Sequence, residues 1–452
     1  MSARARLWDR RRMAVTDEQE PMTTPIEARA PERARPWTRV ERRSRETLLF
    51  GGAMAVAIVH ALDDAVVHRQ PGVALGQHLL AAALAVGLGL GAVAAFPTLR
   101  PALRAALAFL LGSLAIVNGA MHVKHVAGLG MAESDLTGLL AAVAGLVLVG
   151  LAAAIPWLHR GEGAGGTRRR WARRVVAVPL GLLAAFYVVV PMGIAITETH
   201  KFREPIGAPP GPGYRDVALD AGDGVHLSGW YRPTRNGATI LVVHGGGGDR
   251  TGAVAHARLL VRHGYGVLLY DARGRGRSEG VENAWGWGWP KDVAGAIAFL
   301  KARPEVDAAR IGGLGLSTGA DVLVQVAGQR TDLGAVVADG TAASSFEDVQ
   351  RALGTSETTP FFALEFATAR VLSGTPPGPA MEDMVKRITS PLLLVSAGPI
   401  EKRFGDHYDR AAGARPLQHW QLPNVGHTAA IREAPAYERR VTAFFDAALL
   451  GG

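Results

Sequence analysis

The segment Gly315-Leu316-Ser317-Thr318-Gly319 places a serine between two near glycines. The run Arg310-Ile311-Gly312-Gly313-Leu314 before it reads as a strand, and Asp321-Val322-Leu323-Val324 after it reads as a helix. A serine on such a strand-to-helix turn sits at a nucleophile elbow. Glycines suit the turn because it is strained and neighbouring backbone comes close. The helix N-terminus behind the serine favours developing negative charge. A serine hydroxyl becomes a good nucleophile when an adjacent base takes its proton. His427, in Asn424-Val425-Gly426-His427-Thr428 shortly after the last strand, is the candidate base. Glu401, four residues past the strand 391–397, would orient His427 and stabilise the imidazolium. The chemistry these residues could perform is attack on an acyl carbonyl. In a chain with 56 glycines the five-residue pattern alone is weak. Its place between a strand and a helix makes it informative.

A second motif, His244-Gly245-Gly246-Gly247-Gly248, directly follows the strand Ile240-Leu241-Val242-Val243. Glycines at a strand exit let backbone N–H groups turn toward a substrate oxygen. Gly245, Gly246 and Gly247 with the N–H of Thr318 could form an oxyanion hole. A phosphate loop is the rival, but the Gly-Lys-Ser/Thr signature is absent. His244 reads as a structural loop histidine rather than a base.

These motifs need a scaffold. Runs at 225–231, 239–243, 266–270, 310–316, 335–339, 391–397 and 416–422 read as strands. Helix-like stretches lie between them near 251–263, 290–303, 318–329, 404–414 and 433–449. Strand–helix alternation argues a mostly parallel sheet with helices on both faces. Before it, Lys201 to Tyr214 holds four prolines and three glycines, which forbids regular structure and marks a linker, taken as 198–214.

With these four ordered features in place, residues from about 214 to 450 resemble an α/β-hydrolase domain. The chain order Ser317, Glu401, His427 matches that family's order of nucleophile, acid and histidine. Tyr270-Asp271-Ala272-Arg273-Gly274-Arg275-Gly276-Arg277-Ser278 also resembles the family's loop after the strand preceding the elbow. The resemblance implies the fold, a covalent acyl-enzyme and no cofactor. It departs in the acid, where the family usually has Asp. Asp339, ending the preceding strand, and Asp406, on the helix after Glu401, are the second and third choices. The resemblance also puts a small cap at about 341–390. There Phe361-Phe362-Ala363-Leu364-Glu365-Phe366 could wall an acyl pocket or simply be core. Trp285, Trp287 and Trp289 in a nearby loop are expected to pack on the sheet, with contact to a bilayer as the alternative.

The first half is different. The chain of 452 residues is 48% hydrophobic and 20% charged, which excludes a disordered chain. Cysteine is absent, so a disulfide scaffold, a cysteine nucleophile, a thiolate zinc site and an iron–sulfur cluster are excluded. The net charge of +9 sits in two short segments, +4 over 1–46 and +5 over 159–174. Each flanks an apolar run, a pattern of membrane topology rather than nucleic-acid binding. Five apolar stretches, about 47–62, 73–96, 102–121, 136–158 and 175–197, approach the ~20 residues that cross a bilayer. Arg and Lys in the intervening loops place 1–46 in the cytoplasm and everything after 197 outside it. Gly87 and Gly91 are expected to let helices pack closely within one chain, with dimerisation as the alternative.

Polar residues gather at the outer ends of two spans. His60, Asp63, Asp64 and His68 end the first; Asn118, His122 and His125 end the third. On a helix, 60 and 64 share a face, as do 118, 122 and 125. Helix ends meet interfacial water, so ordinary polarity is the first reading of His60, Asp64, His122 and His125. A metal or proton site is the alternative.

The whole is therefore a helical membrane bundle (47–197) joined to an α/β domain (215–452). The function expected is that of a membrane-anchored serine hydrolase, carboxylesterase-like, acting on a small-molecule or lipid-like acyl substrate at the bilayer, without nucleic acid. A peptidase or acyltransferase using the same residues is one alternative. A non-catalytic membrane sensor or transport-associated protein is the other. Fold does not choose among them.

Overall fold

The computed structural model describes residues 38–68, 75–159, 167–281, 284–433 and 435–451. The Arg-rich segment 1–37, Arg69 and the loop residues 160–166 lie outside the described residues. Five long helices come first: α1 (Arg39–Leu62), α2 (Leu75–Ala95), α3 (Pro101–Leu129), α4 (Asp135–Leu158) and α5 (Thr167–Thr199). All five are long and apolar enough to cross a membrane. Leu80 and Leu88 of α2 are 63% and 72% exposed, a surface suited to lipid rather than water. A capping box starts α1, with Thr38 Oγ1 accepting from Glu41 N and the Glu41 carboxylate accepting from Thr38 N.

Close packing falls between α3 and α4. A side chain at Gly112 would meet the Gly145 carbonyl oxygen at 2.8 Å, and one at Gly119 would meet Ala142 Cβ at 2.6 Å. Gly87 and Gly91 have open space beside them, so the tight intrachain packing expected there is instead carried by α3 and α4. Phe50 stacks on Phe96 at 4.0 Å, tying α1 to the segment after α2. Glu46 is buried and ion-paired with Arg104 and His159, joining α1, α3 and the end of α4.

The second half opens with β1 (Arg215–Asp220), β2 (His226–Arg232) and β3 (Thr239–Val243), followed by α6 (Val254–Arg262), β4 (Gly266–Tyr270) and α7 (Trp289–Lys301). Next come β5 (Ile311–Leu316), α8 (Thr318–Gln329), β6 (Ala335–Asp339), α9 (Phe346–Leu353), α10 (Thr359–Ser373) and α11 (Met381–Val385). The chain closes with β7 (Leu392–Ala397), α12 (Gly398–Ala412), β8 (Leu417–Leu422) and α13 (Ala436–Phe445). The sheet order is β1-β2-β4-β3-β5-β6-β7-β8. Strands β4 to β8 and β3 run parallel, while β2 is antiparallel to both β1 and β4. β3, β4 and β5 are buried on both faces, as continuous runs such as Thr-Ile-Leu-Val-Val require. One face is covered by α7, α8, α11 and α12, the other by α6 and α13. Seven strands match the sequence expectation. The eighth, β1, is an added edge hairpin partner whose mixed pattern Arg-Asp-Val-Ala-Leu-Asp carries little strand signal.

Two junctions position the site against the helical bundle. The linker is irregular, yet anchored. Phe202 stacks on His125 at 4.3 Å, and the Arg203 guanidinium donates to the carbonyls of Ser278 and Gly280. The insertion 341–390 forms α9, α10 and α11, and α10 lies along α5. Phe361 faces Phe186 with ring centres 5.5 Å apart, and Tyr187 donates to the Glu357 carbonyl at 3.0 Å. Its apolar face therefore meets the bundle. The tryptophans pack inside the protein but not as a group on the sheet. Trp285 stacks on Phe366 of α10 at 4.4 Å, Trp287 donates to the Ser344 carbonyl, and Trp289 sits at the edge of His244.

Candidate active site

Ser317 ends β5 and starts α8. Its backbone has φ 53° and ψ −121°, and its N–H donates to the Asp339 carbonyl at 2.8 Å. A non-glycine residue at positive φ is strained, and the neighbours hold it there. Gly315 and Gly319 are required by contact: a Cβ on Gly315 would lie 2.3 Å from the Gly319 oxygen, and one on Gly319 2.4 Å from the Val243 oxygen. Ser317 Oγ stands 2.8 Å from His427 Nε2. His427 Nδ1 stands 2.6 Å from Glu401 Oε1. The histidine rides on the loop after β8, whose next residue, Thr428, also has positive φ (51°).

Glu401 lies in the first turn of α12, whose N-terminus favours a carboxylate. Its second oxygen accepts from Ala397 N at 2.7 Å, so the carboxylate is held from both sides. That hydrogen-bonded carboxylate raises the His427 pKa above the ordinary value, against a smaller opposing effect of burial. The other two acids are placed elsewhere. Asp406 bonds Lys402 at 2.5 Å and Gln421 at 2.8 Å. Asp339 is fully buried beneath the site, where burial pushes its carboxyl up to about 7. Neither makes the hydrogen bond to His427 that Glu401 makes among the described residues.

The glycine loop faces the same serine. A Cβ on Gly245 would touch Ser317 Cβ at 3.4 Å, and one on Gly246 would strike Thr318 Oγ1 at 2.5 Å. Thr318 opens α8, so its N–H has no intrahelical acceptor. His244 is structural in geometry: buried, its Nδ1 meets the Gly245 carbonyl at 2.8 Å while Nε2 accepts from Ala272 N at 3.0 Å. Burial holds its pKa near 4, so it stays neutral and ties the glycine loop to the loop after β4.

That second loop is a buried scaffold. Asp271 accepts from Arg250 N, Nε and Nη2 and from Arg277 N, and Arg273 pairs with Asp292 at 2.7 Å. Two features had no sequence signal. Lys201, in the linker, donates to the Gly246 carbonyl at 2.9 Å. The loop of Trp285 and Gly286 presses on the elbow, since a Cβ on Gly286 would lie 2.7 Å from Thr318 Cγ2. Both depend on how distant segments dock, which no local pattern encodes.

Residues 220–429 match the family model of X-Pro dipeptidyl-peptidase (S15 family). Fold and match together make the C-terminal half an α/β-hydrolase domain, and no family is recognised for the helical half. An uncharacterized protein of Mycobacterium tuberculosis is 38% identical over 122 residues, 26% of this chain and 43% of that protein. The uncharacterized protein YfhR of Escherichia coli is 29% identical over 170 residues, 36% of this chain and 59% of YfhR. The chain thus spans about half the length of the curated relatives it matches. Among solved structures, an esterase of Pyrococcus furiosus aligns over 55% of this chain and 97% of its own at 23% identity, with a TM-score of 0.45.

Proposed function

We propose that the chain is a membrane-anchored serine hydrolase in which Ser317 is the nucleophile, His427 the general base and Glu401 the acid that orients it. The observation that carries this reading is the unbroken chain Glu401 Oε1–His427 Nδ1 (2.6 Å) and His427 Nε2–Ser317 Oγ (2.8 Å), set at a strained elbow. As Ser317 Oγ attacks an acyl carbonyl, its proton passes to His427 Nε2 and the carbonyl oxygen becomes an oxyanion. Gly245, Gly246, Gly247 and Thr318 N–H groups are the donors proposed for that charge. Collapse breaks the bond to the leaving group, which takes the proton from His427. Water then repeats the cycle: its proton goes to His427, its oxygen bonds the acyl carbon, and Ser317 leaves with the proton. Glu401 accepts from Nδ1–H throughout and keeps the ring oriented. These groups account for each proton transfer in the cycle.

The proposed substrate is an ester with an apolar acyl part. An apolar cluster runs from Trp287 near the elbow through Phe366 and Ala369 of α10 to Ala195 of α5. It joins the site to a helix long and apolar enough to span a bilayer. With the Arg-rich segments cytoplasmic and five crossings, the hydrolase domain stands outside the cytoplasm. A peptidase is the second reading, favoured by the S15 match. Covalent labelling by a fluorophosphonate tests the nucleophile. Turnover of p-nitrophenyl esters against Xaa-Pro-p-nitroanilides separates the readings. A folded protein that neither labels nor turns over either class overturns both.

A further inference from the structure

Outside the hydrolase domain lies a second group of polar side chains that the mechanism does not use. It sits where α1 and α3 end beneath the linker. Helix-end polarity facing water would account for exposed residues, but His60 and His122 are only 2% and 4% exposed and Asp135 is fully buried. Burying histidine and carboxylate together is costly unless they are paired or hold a cation. We propose that His60, Asp64 and His122 form a binding site for a divalent first-row transition metal, with zinc as its first candidate.

The donor atoms converge. His60 Nε2 lies 3.6 Å from Asp64 Oδ2, and one ligand atom of each of the three residues falls within 4.8 Å of the other two. The His60 and His122 rings are 5.0 Å apart at 75°. Zinc with ligand bonds of 2.0–2.1 Å sets tetrahedral donors about 3.3 Å apart, so side-chain shifts on the order of 1 Å close the site.

The outward nitrogens are already committed in the way metal-binding histidines are. His60 Nδ1 meets Thr137 Oγ1 at 3.2 Å, and that hydroxyl donates to Asp63 Oδ2 at 2.6 Å. His122 Nδ1 meets Asp135 Oδ1 at 3.1 Å, and His125 shares the same carboxylate at 2.9 Å. An Nδ1–H donated to an oxygen fixes the tautomer whose Nε2 carries the lone pair. Asn118 Nδ2 lies 2.9 Å from His60 Nε2, as a donor to that lone pair would. A cation replaces this amide contact.

The coordination sphere has somewhere to open. A cavity of about 440 Å³ is lined by Asp64, Asn118 and His122 from the bundle and by His200, Lys201 and Phe202 from the linker. It can admit the water or small ligand that completes three protein donors. Two imidazoles and one carboxylate suit zinc, and also other first-row divalent ions.

The test uses the untagged full chain in detergent, stripped with chelator, re-equilibrated with zinc and assayed by elemental analysis. Close to one zinc per chain is expected in wild type. His60→Ala and His122→Ala should each weaken binding at least about 100-fold, and Asp135→Asn about 10- to 100-fold through its hold on His122. Asp64→Asn, nearly isosteric, should weaken it at least about 10-fold. His263→Ala, on the hydrolase surface, should leave it unchanged. Thermal unfolding read by tryptophan fluorescence checks that each variant folds. Wild type that binds neither zinc nor, after the same stripping and re-equilibration, cobalt, nickel or copper overturns the proposal without any variant. So does zinc bound equally by the His60→Ala/His122→Ala double variant. Ser317 plays no part in the readout, so failure of the hydrolase reading leaves this result standing.

Discussion

Lys201 donates from Nζ to the Gly246 carbonyl at 2.9 Å, and to Glu198 at 2.8 Å. Glu198 belongs to the last turn of α5, so the end of the fifth long helix reaches the glycine loop through one side chain. The Gly246 carbonyl and the Gly247 N–H share a single planar peptide. Fixing the first aims the second, which is a proposed oxyanion donor. Removing a whole donor costs about 10²–10³ in turnover in a serine protease. Loosening one should cost less. Lys201→Met is expected to lower kcat about 10-fold with little change in KM, and Lys201→Arg to recover much of it. Steady-state kinetics with a short p-nitrophenyl ester reads both, and a KM effect alone would mean that Lys201 only holds the linker.

Ser317→Ala and His427→Ala should each reduce turnover by about 10³-fold or more, and the double variant should be little worse than either single one. Residues acting as one unit are strongly non-additive. Fluorophosphonate labelling should vanish in both. Additive losses would show that the two side chains act separately despite their 2.8 Å contact.

The pH profile follows from the direction of the His427 shift. The Glu401 hydrogen bond raises its pKa above 6.5. A base must be neutral, so kcat/KM should be full at high pH and fall as pH drops through that raised value. Glu401→Gln removes the negative partner and should move the acid limb to lower pH while reducing the plateau. Asp406→Asn should leave the limb where it is, because Asp406 is engaged with Lys402 and Gln421. A limb that moves in Asp406→Asn but stays in Glu401→Gln would reassign the acid.

The elbow was legible because its constraint is local. Gly315 and Gly319 are demanded by contacts at 2.3 and 2.4 Å, and such demands leave a fixed five-residue trace. The parallel strands were legible for a similar reason, since burial on both faces writes continuous apolar runs. The strand β1 was not, because an edge strand keeps charged residues at both ends. The choice among Glu401, Asp339 and Asp406 was open in the sequence because it turns on how β6 and α12 are set against the loop of His427. Asp339 ends β6 beneath the site, and of the two acids on α12 it is Glu401, in the first turn, that faces His427. The burial of His60 and His122 left no trace in the sequence. Their helix-end positions suggested water, but the linker residue Phe202 packs on His122 with ring centres 4.9 Å apart, and His60 is enclosed by Thr137, Asn118 and the His122 ring.

Phe366 links α10 to the loop of Trp285, and its stack on that ring at 4.4 Å gives a last expectation. Trp285 carries φ 48°, a strained backbone held in place by packing, and a Cβ on Gly286 beside it would strike Thr318. In the proposed acyl-enzyme, a chain extending along this wall from the acyl carbonyl bonded to Ser317 Oγ would run toward α10 and α5. Each buried CH₂ contributes about 0.8 kcal/mol, so a wall contact over four methylenes is worth about 3 kcal/mol, or roughly 200-fold in kcat/KM. Phe366→Ala should remove much of that advantage for twelve-carbon over four-carbon esters while leaving the four-carbon rate nearly unchanged. Competition between the two chain lengths in one detergent micelle system measures the ratio. An equal loss for both would mean that Phe366 supports the elbow rather than the chain, and the apolar path to α5 would then be packing alone.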